Sequence, residues 1–378
     1  MAIAKIPLRP VDPAEFPEFI KHIAPPTFDG GPLDAVKPTR TIRRDLLVNF
    51  DLNLMDGTKV PMWIIEDPDD GAGGRAFPSK TIRTVAGDVI HAPVGSKTNT
   101  HTIHWHGIEP SPMNDGVGKH SFEISGNFVY QFNTDQAGTY FYHCHKNTVL
   151  HFEMGLYGMF LVDPPKPDTP EAAGVAGPPY NTGGPGFIAA LNPPTNVRKY
   201  DVEAILVPDE IDSRWHKLGH NAFMQAVNKD NPIDPATFAQ DGFLNDFRPD
   251  IFLISGKGTH AKGIGDSATI GAMSVNAKVG QTILVRLLNA GYTINEYRFG
   301  LPVEVVAQDG HPLGVGVRHQ YSAPFTIPAN QPFRLTAAMR RDLLIKATAP
   351  GKFPFTVDYL HWVTGKRLFT AGASINVT

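Results

Sequence analysis

Short apolar or alternating runs that end at glycine, proline or aspartate recur along this chain, and they limit what it can fold into. Runs such as LLVNFDLNLMDG and QTILVRLLNA have the length of strands, in which side chains alternate between two faces. The 36 glycines and 34 prolines suit tight turns between such strands. The pattern therefore predicts an all-β protein.

Two stretches of the chain share one plan, which predicts two domains. AGTYFYHCH in the first half corresponds to PGKFPFTVD in the second, with the same turn and the same alternation of aromatic residues. Internal repetition of this kind indicates two copies of one β-sandwich, and 378 residues suit two domains of roughly 150 residues each. The predicted organisation is a Pro-rich arm at 1–40, a first domain at 41–165, a Pro/Gly-rich linker at 166–197 and a second domain at 198–378.

Charge and composition exclude several classes of protein. The net charge of −3 gives no basic surface for nucleic acid or an anionic membrane. No apolar run reaches the roughly 18 residues that a membrane-spanning helix needs. The N-terminal residues lack the apolar core of a signal peptide, so we expect a cytosolic protein or one whose signal has been removed. A single cysteine excludes an intrachain disulfide.

That cysteine lies between two histidines and is the most informative position in the sequence. Residues two apart on a strand face the same side, so His143 and His145 point one way and Cys144 points the other. His104 and His106, in the segment HTIHWHG, share a face in the same manner. Two such strands side by side would bring four imidazoles together on one face.

A soft thiolate with two imidazoles is the ligand set of a trigonal blue-copper site. Cys144 supplies the thiolate, and His151 follows it in the next segment of the chain. His101 precedes His104 by three residues, and this odd offset turns its side chain towards the thiolate's side. The sequence therefore predicts a type 1 copper held by His101, Cys144 and His151.

These motifs resemble the first domain of the multicopper oxidases. The resemblance rests on HWHG, the Asn-Asp-Gly-Val turn at 114–117, AGTYFYHCH and GLYGMFLVDPP, and it covers about residues 40–165 strongly and the second half more weakly. It implies two cupredoxin-like Greek-key β-sandwich domains and a copper-dependent oxidoreductase. In this family electrons pass from the type 1 copper through the cysteine and its flanking histidines to type 2 and type 3 coppers that reduce dioxygen. The residues of this chain implied as half of that cluster are His104, His106, His143 and His145.

A type 1 site in the first domain is similar to two-domain multicopper oxidases and copper nitrite reductases. The spacing from His101 to His106 matches the nitrite reductase pattern of a blue-copper histidine followed five residues later by a type 2 histidine. The resemblance implies a small-molecule or metal-ion electron donor, a periplasmic or extracellular location, and a homo-oligomer, most often a trimer. In that trimer the segment around Asp358 and His361 would face the histidines of the next subunit.

The resemblance also assigns two further positions. The oxidase pattern places the axial residue of the type 1 copper five residues past His151, at Leu156. Leucine does not coordinate copper, and losing a weak sulfur donor raises the reduction potential; Met154 and Met159 are the alternatives. Asp115 resembles the acidic residue that assists proton delivery to the cluster, and the alternative is an ordinary turn aspartate.

The second half departs from the family pattern. A complete cluster needs further histidines from the other domain, but the segment that matches HCH reads Thr-Val-Asp at 356–358, and INEYRFG replaces HWHG. Four interpretations stay open. These are a reduced site with one or two coppers, a nitrite-reductase-like type 2 site completed by Asp358 or His361 of a neighbour, histidines from a different chain, and an electron-transfer or copper-handling protein with only the type 1 site.

One other histidine pair has a spacing that occurs in metal sites. His216 and His220 have the i, i+4 spacing of helical metal ligands, but the segment lacks the glutamate of HExxH. We therefore expect a structural or surface role for both histidines. Trp215 and Trp362 are expected to pack in a core or an interface.

Overall fold

The computed structural model describes residues 37–117, 121, 123–164, 186–189, 197–217, 247–262, 265–313 and 323–378. Nearly all of the predicted arm, most of the predicted linker and His220 lie outside these ranges. The described residues form strands with a few short helices, which confirms the predicted all-β class. Among these residues we find no helix of the length and apolar character that crossing a membrane requires.

A first β-sandwich comprises two sheets from residues 40–163. One sheet has the order β1-β5-β2-β3, with β7 also paired to β5, and the other has the order β4-β9-β8-β6. The chain passes from the first sheet to the second between β7 and β8, so these consecutive strands do not form a hairpin. The strands are β1 (Arg40–Thr41), β2 (Arg44–Asn53), β3 (Lys59–Glu66), β4 (Ser79–Val85), β5 (Val89–His101), β6 (His104–His106), β7 (Ile124–Asn133), β8 (Gly138–His143) and β9 (Tyr157–Asp163).

Short helices connect the strands of this sandwich at the places where the predicted copper ligands lie. Helix α1 (Pro112–Asp115) follows β6, and helix α2 (Thr148–Glu153) joins β8 to β9. A 3₁₀-helix (Pro68–Gly74) lies between β3 and β4. The three helices are too short for independent stability, so the strands on either side of each one fix its position.

A second β-sandwich follows the same two-sheet plan. One sheet has the order β12-β18-β24-β20-β21 with β22 on β20, and the other has the order β16-β26-β25-β19-β23 with β17 on β26. Its strands are β12 (Val202–Leu206), β16 (Ser267–Thr269), β17 (Val275–Ala277), β18 (Thr282–Leu288), β19 (Ile294–Phe299), β20 (Val303–Gln308), β21 (His311–Pro312), β22 (Phe325–Ile327), β23 (Phe333–Leu335), β24 (Arg340–Lys346), β25 (Gly351–Leu360) and β26 (Arg367–Val377). A short 3₁₀-helix (Gly271–Met273) precedes β17.

Strands outside the two sandwiches form two small sheets. The strands β13 (Pro208–Ile211), β14 (Ile251–Ile254) and β15 (Lys257–His260) form an antiparallel sheet between the sandwiches. A separate antiparallel pair consists of β10 (Gly186–Ala189) and β11 (Val197–Tyr200). The first of these sheets contributes its buried face to an apolar core that both halves of the chain share.

Strands β8 and β9 explain why the second half lies against the histidines. Tyr142 and Phe160 point into the core of the first sandwich, whereas Phe141 and Met159 point into the shared core between the sandwiches. Both faces of these strands are therefore buried, which accounts for the nearly continuous apolar sequence GLYGMFLVD. The outer face, where β6 and β8 carry their histidines, is turned towards the second half.

A buried charge network also joins the two sandwiches. Arg83 of β4 binds Asp163 of β9 at 2.6 Å and Glu203 of β12 at 2.7 Å. Arg286 of β18 binds the same Glu203 at 2.7 Å. All four side chains are almost completely inaccessible to solvent. Charges buried this deeply are tolerated because each one has a partner in good geometry.

Ion pairs on the second sandwich occupy the face that corresponds to the histidine face of the first. Strand β19 pairs with β25 so that Glu296 lies opposite Asp358, as β6 pairs with β8 in the first sandwich. Arg298 binds both carboxylates, and Arg334 binds Glu296 at 2.7 Å. Asp358 thus has an ion-pair partner within its own chain, which leaves it poorly placed to bind a metal from a neighbour.

Candidate copper centres

Three predicted ligands meet at one end of the first sandwich, and we call them the cysteine site: His101, Cys144 and His151. Their ligand atoms all lie within 4.8 Å of one another. The Sγ atom of Cys144 is 3.2 Å from Nδ1 of His151 and 3.6 Å from Nδ1 of His101. All three side chains are buried. One sulfur and two imidazole nitrogens that face the same point can bind one metal ion.

Local structure places each of these three side chains. His101 is the last residue of β5, Cys144 directly follows β8, and His151 lies on α2. The backbone N–H of Cys144 donates to the carbonyl of Leu156, and the N–H of Leu156 donates to the carbonyl of His151. These two bonds hold the turn of chain that carries both ligands, so the spacing between Cys144 and His151 does not depend on a metal.

Burial sets the protonation of the cysteine site without metal. It lowers the pKa of His101 to about 3 and that of His151 to about 4, and it raises the pKa of the Cys144 thiol to about 11. Both imidazoles are therefore neutral and ready to bind a metal at neutral pH, while the thiol must lose its proton on binding. A thiolate with two imidazoles fits copper.

Burial leaves two candidates for the axial residue of the predicted type 1 copper. Leu156 and Met154 are both buried in the same core as Cys144. Met159 packs instead in the shared core on the opposite face of β9. The axial position predicted at Leu156 therefore has Met154 as its remaining competitor.

A second group of ligands, the histidine site, consists of His104, His106 and His143. Their ligand atoms also lie within 4.8 Å of one another. His104 lies directly opposite His143 in the pairing of β6 with β8. The predicted fourth member, His145, is adjacent, with its ring centroid 5.3 Å from that of His104 and 5.6 Å from that of His143.

Hydrogen bonds orient the rings of the histidine site. Nδ1 of His104 is 2.8 Å from the carbonyl oxygen of Asp115 and 3.1 Å from its carboxylate, which leaves Nε2 for a metal. Nδ1 of His143 is 3.0 Å from the carbonyl of Cys144, which leaves its Nε2, and that atom faces Nδ1 of His106 at 3.4 Å. Partners of this kind fix the tautomer and the direction of a metal-binding imidazole.

The glycine of the HWHG motif permits this arrangement. Gly107 has a φ of 90°, which side-chain-bearing residues rarely adopt. A Cβ atom there would lie 2.8 Å from the guanidinium of Arg340 and 2.9 Å from the ring of Tyr140. Burial, aided by the charge of Arg340, lowers the pKa of His106 to about 3, so this imidazole is also neutral.

The histidine site opens into a cavity of about 280 Å³ between the two halves of the chain. Phe141 and Phe152 line it on the side of the first sandwich, and Gly291, Tyr292 and Ala338 line it on the side of the second. Among the described residues, this second wall offers no imidazole, thiol or carboxylate to the cavity. The sequence predicts that the second half lacks the family's ligands, and the residues that it contributes to this wall are indeed not metal ligands.

Several residues around the two sites were not singled out from the sequence. The Trp63 ring contacts the His151 ring edge-on at a centroid distance of 5.2 Å. Glu153, which follows His151 by two residues, is buried. Tyr292 donates a hydrogen bond to the carbonyl of Val149 at the cavity rim. His216, for which a structural or surface role was predicted, is buried, which agrees with the structural alternative. No motif in the sequence signals these contacts, because each joins residues distant in the chain or depends on burial.

Comparison with known proteins places these sites in a family. A multicopper oxidase family model matches residues 71–167. L-ascorbate oxidase from Cucumis sativus is 40% identical over 97 residues, which are 24% of this chain and 16% of that protein. Multicopper oxidase MmcO from Mycobacterium tuberculosis is 26% identical over 348 residues, which are 80% of this chain and 58% of that protein. The chain thus spans well under two thirds of the length of these relatives.

Solved structures show the same architecture. Blue copper oxidase from Nitrosomonas europaea aligns with a TM-score of 0.58 and 20% identity over 89% of this chain and 86% of that chain. A multicopper oxidase from Campylobacter jejuni, described as a metallo-oxidase, aligns with a TM-score of 0.56 and 18% identity over 89% of this chain and 57% of that chain. These alignments confirm the predicted cupredoxin-like fold. Residues 71–167, which carry both candidate sites, thus match the multicopper oxidase family model, and the whole chain shares the fold of the solved multicopper oxidases.

Proposed function

We propose that this chain is a copper-dependent oxidoreductase of multicopper oxidase type. Copper bound at the cysteine site and the histidine site would supply the one-electron chemistry that oxidises a donor and reduces dioxygen to water. The observation that carries the proposal is the convergence of a buried thiol on two imidazole nitrogens, directly next in sequence to a group of converging imidazoles. His145 is proposed as a further ligand of the histidine site.

The residues between the two sites support electron transfer. Cys144 belongs to the cysteine site, and its peptide neighbour His143 belongs to the histidine site. The carbonyl of Cys144 also accepts a hydrogen bond from Nδ1 of His143 at 3.0 Å. Covalent bonds and one hydrogen bond therefore connect the two sites, so electron transfer between them needs no jump between unbonded atoms.

Other residues would control water and protons. Phe141, Phe152 and Tyr292 give the cavity a largely apolar lining, which limits access of bulk water to the imidazoles. Asp115 holds His104 and lies partly buried at the edge of the histidine site. We propose that its carboxylate would also pass protons to the histidine site when the site holds copper, as the family resemblance implies.

Spectroscopy of the copper-loaded protein tests the cysteine site. We expect the wild type to show the intense blue absorption of thiolate-to-copper charge transfer and Cys144→Ser to lose it while keeping its fold by circular dichroism. The control Cys144→Ser sample should retain copper at the histidine site. A colourless wild type with full copper content would contradict the proposal.

Copper counting and oxygen uptake test the reaction. Two or more coppers per chain with oxygen consumption on a reducing donor support the oxidase. One copper per chain with no oxygen uptake would instead identify an electron-transfer or copper-handling protein. Both ascorbate and a reduced metal ion should be tried as donors, because the relatives include an ascorbate oxidase and a metallo-oxidase.

We further propose a homo-oligomer, most simply a trimer, in the periplasm or outside the cell. The second half of the chain covers the histidine site without adding a ligand to this cavity, and a neighbouring subunit in a closed ring could add one, which supports the proposal. Light scattering after size-exclusion chromatography should give three times 41.2 kDa. A monomer that is copper-loaded and active would contradict it, and fractionation of the native host tests the location.

A further inference from the structure

We infer that His216 is a positioning residue for the cysteine site, where it holds the His151 imidazole in place from the second half of the chain. The inference rests on the proposed copper function of that site. His216 would not touch copper or substrate. It acts by connecting the helix that carries His151 to the strand that lies against the His151 ring.

His216 makes two polar contacts from a fully buried position. Its side chain is 1% exposed, and that of Glu153 is 3% exposed. Nδ1 of His216 donates to the carbonyl of Pro61 at 2.8 Å, since a carbonyl can only accept. Nε2 lies on the other side of the ring, 3.5 Å from Oε1 of Glu153. The same carboxylate oxygen accepts the backbone N–H of Asp212 at 2.9 Å.

Both contacts lead to His151 within two residues. Glu153 is the last residue of α2 and follows His151 by two positions. Pro61 lies on β3, two residues before Trp63, whose ring meets the His151 ring edge-on at 79°. The N–H of Trp63 also donates to the carbonyl of Met154 at 2.7 Å. The His151 ring thus lies between its own helix α2 and strand β3. His216 contacts both elements, β3 at Pro61 and α2 at Glu153.

The energetics favour an effect on the metal ligand. A metal-binding imidazole keeps its orientation through the groups around it, and loss of such a group costs about 10- to 100-fold in metal affinity. Removing His216 would also leave the buried Glu153 carboxyl with the backbone N–H of Asp212 as its remaining close polar contact, and an under-satisfied buried polar group is unfavourable. Because α2 has fewer than two turns, movement of Glu153 would pass directly to His151.

Three substitutions separate the two contacts. His216→Asn keeps a donor near the position of Nδ1 for Pro61, His216→Gln keeps a donor near the position of Nε2 for Glu153, and His216→Leu keeps neither. We expect His216→Leu to lower the affinity of the cysteine site for copper about 10-fold or more. It should also shift the charge-transfer band and the electron paramagnetic resonance parameters, while copper at the histidine site stays unchanged. The two polar variants should be intermediate.

A stability control separates positioning from folding. Val357→Ala removes buried methyl groups from the core of the second sandwich and should lower the free energy of unfolding without changing the blue spectrum. If His216→Leu also loses stability but keeps the wild-type band and copper affinity, His216 is merely structural and the inference is wrong. If His216→Leu does not fold, wild-type spectra in both polar variants would overturn it. A wild type that is not blue would instead defeat the proposed copper function.

Discussion

At the scale of single residues, burial decides what the side chains of the copper centres can do. The buried imidazoles of His101, His106 and His151 have lowered pKa values, so they bind a cation without competing with protons at neutral pH. The buried thiol of Cys144 has a raised pKa and gives up its proton only in exchange for a metal. Burial therefore keeps these ligand groups uncharged at neutral pH until a metal ion binds.

The axial residue provides a first prediction. If Leu156 occupies the axial position, Leu156→Met adds a weak sulfur donor that stabilises Cu(II) and lowers the reduction potential of the blue copper. Met154→Leu should leave that potential unchanged. Redox titration of the blue band measures both variants. If Leu156→Met does not lower the potential and Met154→Leu raises it, the axial residue is Met154.

Glu210 provides a prediction on pH. It is fully buried, and its carboxyl accepts the N–H groups of Tyr292 and Thr293 and the hydroxyl of Thr293. Burial raises its pKa to about 8, whereas the unfolded chain ionises near 4.5. Above about pH 4.5 this group loses its proton in the unfolded state alone, so its contribution to the free energy of unfolding falls by about 1.4 kcal/mol per pH unit until about pH 8.

Glu210→Gln tests this linkage because the amide is neutral at every pH. Relative to the wild type, the variant should gain stability as the pH rises from about 5 to 8 and show no further gain above that. Denaturant unfolding of the two metal-free proteins across this range measures the difference. Parallel pH profiles would show that Glu210 ionises normally in the folded protein.

At the scale of elements, β6, α1 and β8 hold the histidine site between them. β6 and β8 supply the imidazoles, and α1 supplies Asp115, which contacts Nδ1 of His104. Asp115→Ala keeps the backbone carbonyl that lies 2.8 Å from Nδ1 of His104, so it should weaken copper binding at the histidine site by no more than about 10-fold and leave the blue band intact. Chelator titration followed by electron paramagnetic resonance measures both sites. Asp115→Asn, which keeps an acceptor oxygen, is the matched control, and equal copper affinity in all three proteins would contradict the prediction.

Strand periodicity explains how much of the two sites could be predicted from the sequence. The two-residue repeat of a strand is enough to place His104 and His106 on one face, and the odd offset of His101 turns it to the other. No such rule applies to His216, because its partners Pro61 and Glu153 lie far away in the chain. Its i, i+4 spacing with His220 says nothing about burial, which is why both a structural and a surface role were left open.

The whole molecule depends on the charge network between the sandwiches. Arg286→Leu leaves Glu203 and Asp163 buried with one cation fewer, so we expect a loss of about 3–5 kcal/mol in the free energy of unfolding. Arg367→Ala, which breaks an exposed pair with Asp266, should cost less than about 1 kcal/mol. Denaturant unfolding compares the two variants. Similar losses would mean that the buried network contributes no more than a surface pair.

The ion pairs on the second sandwich have a consequence for how the protein matures. Glu296, Arg298 and Asp358 neutralise one another, so that face is finished as soon as the chain has folded. The corresponding face of the first sandwich presents imidazole nitrogens, so it is complete only once a metal ion has bound. In a cell short of copper, newly made chains would therefore fold with a complete second sandwich and with no metal in the first.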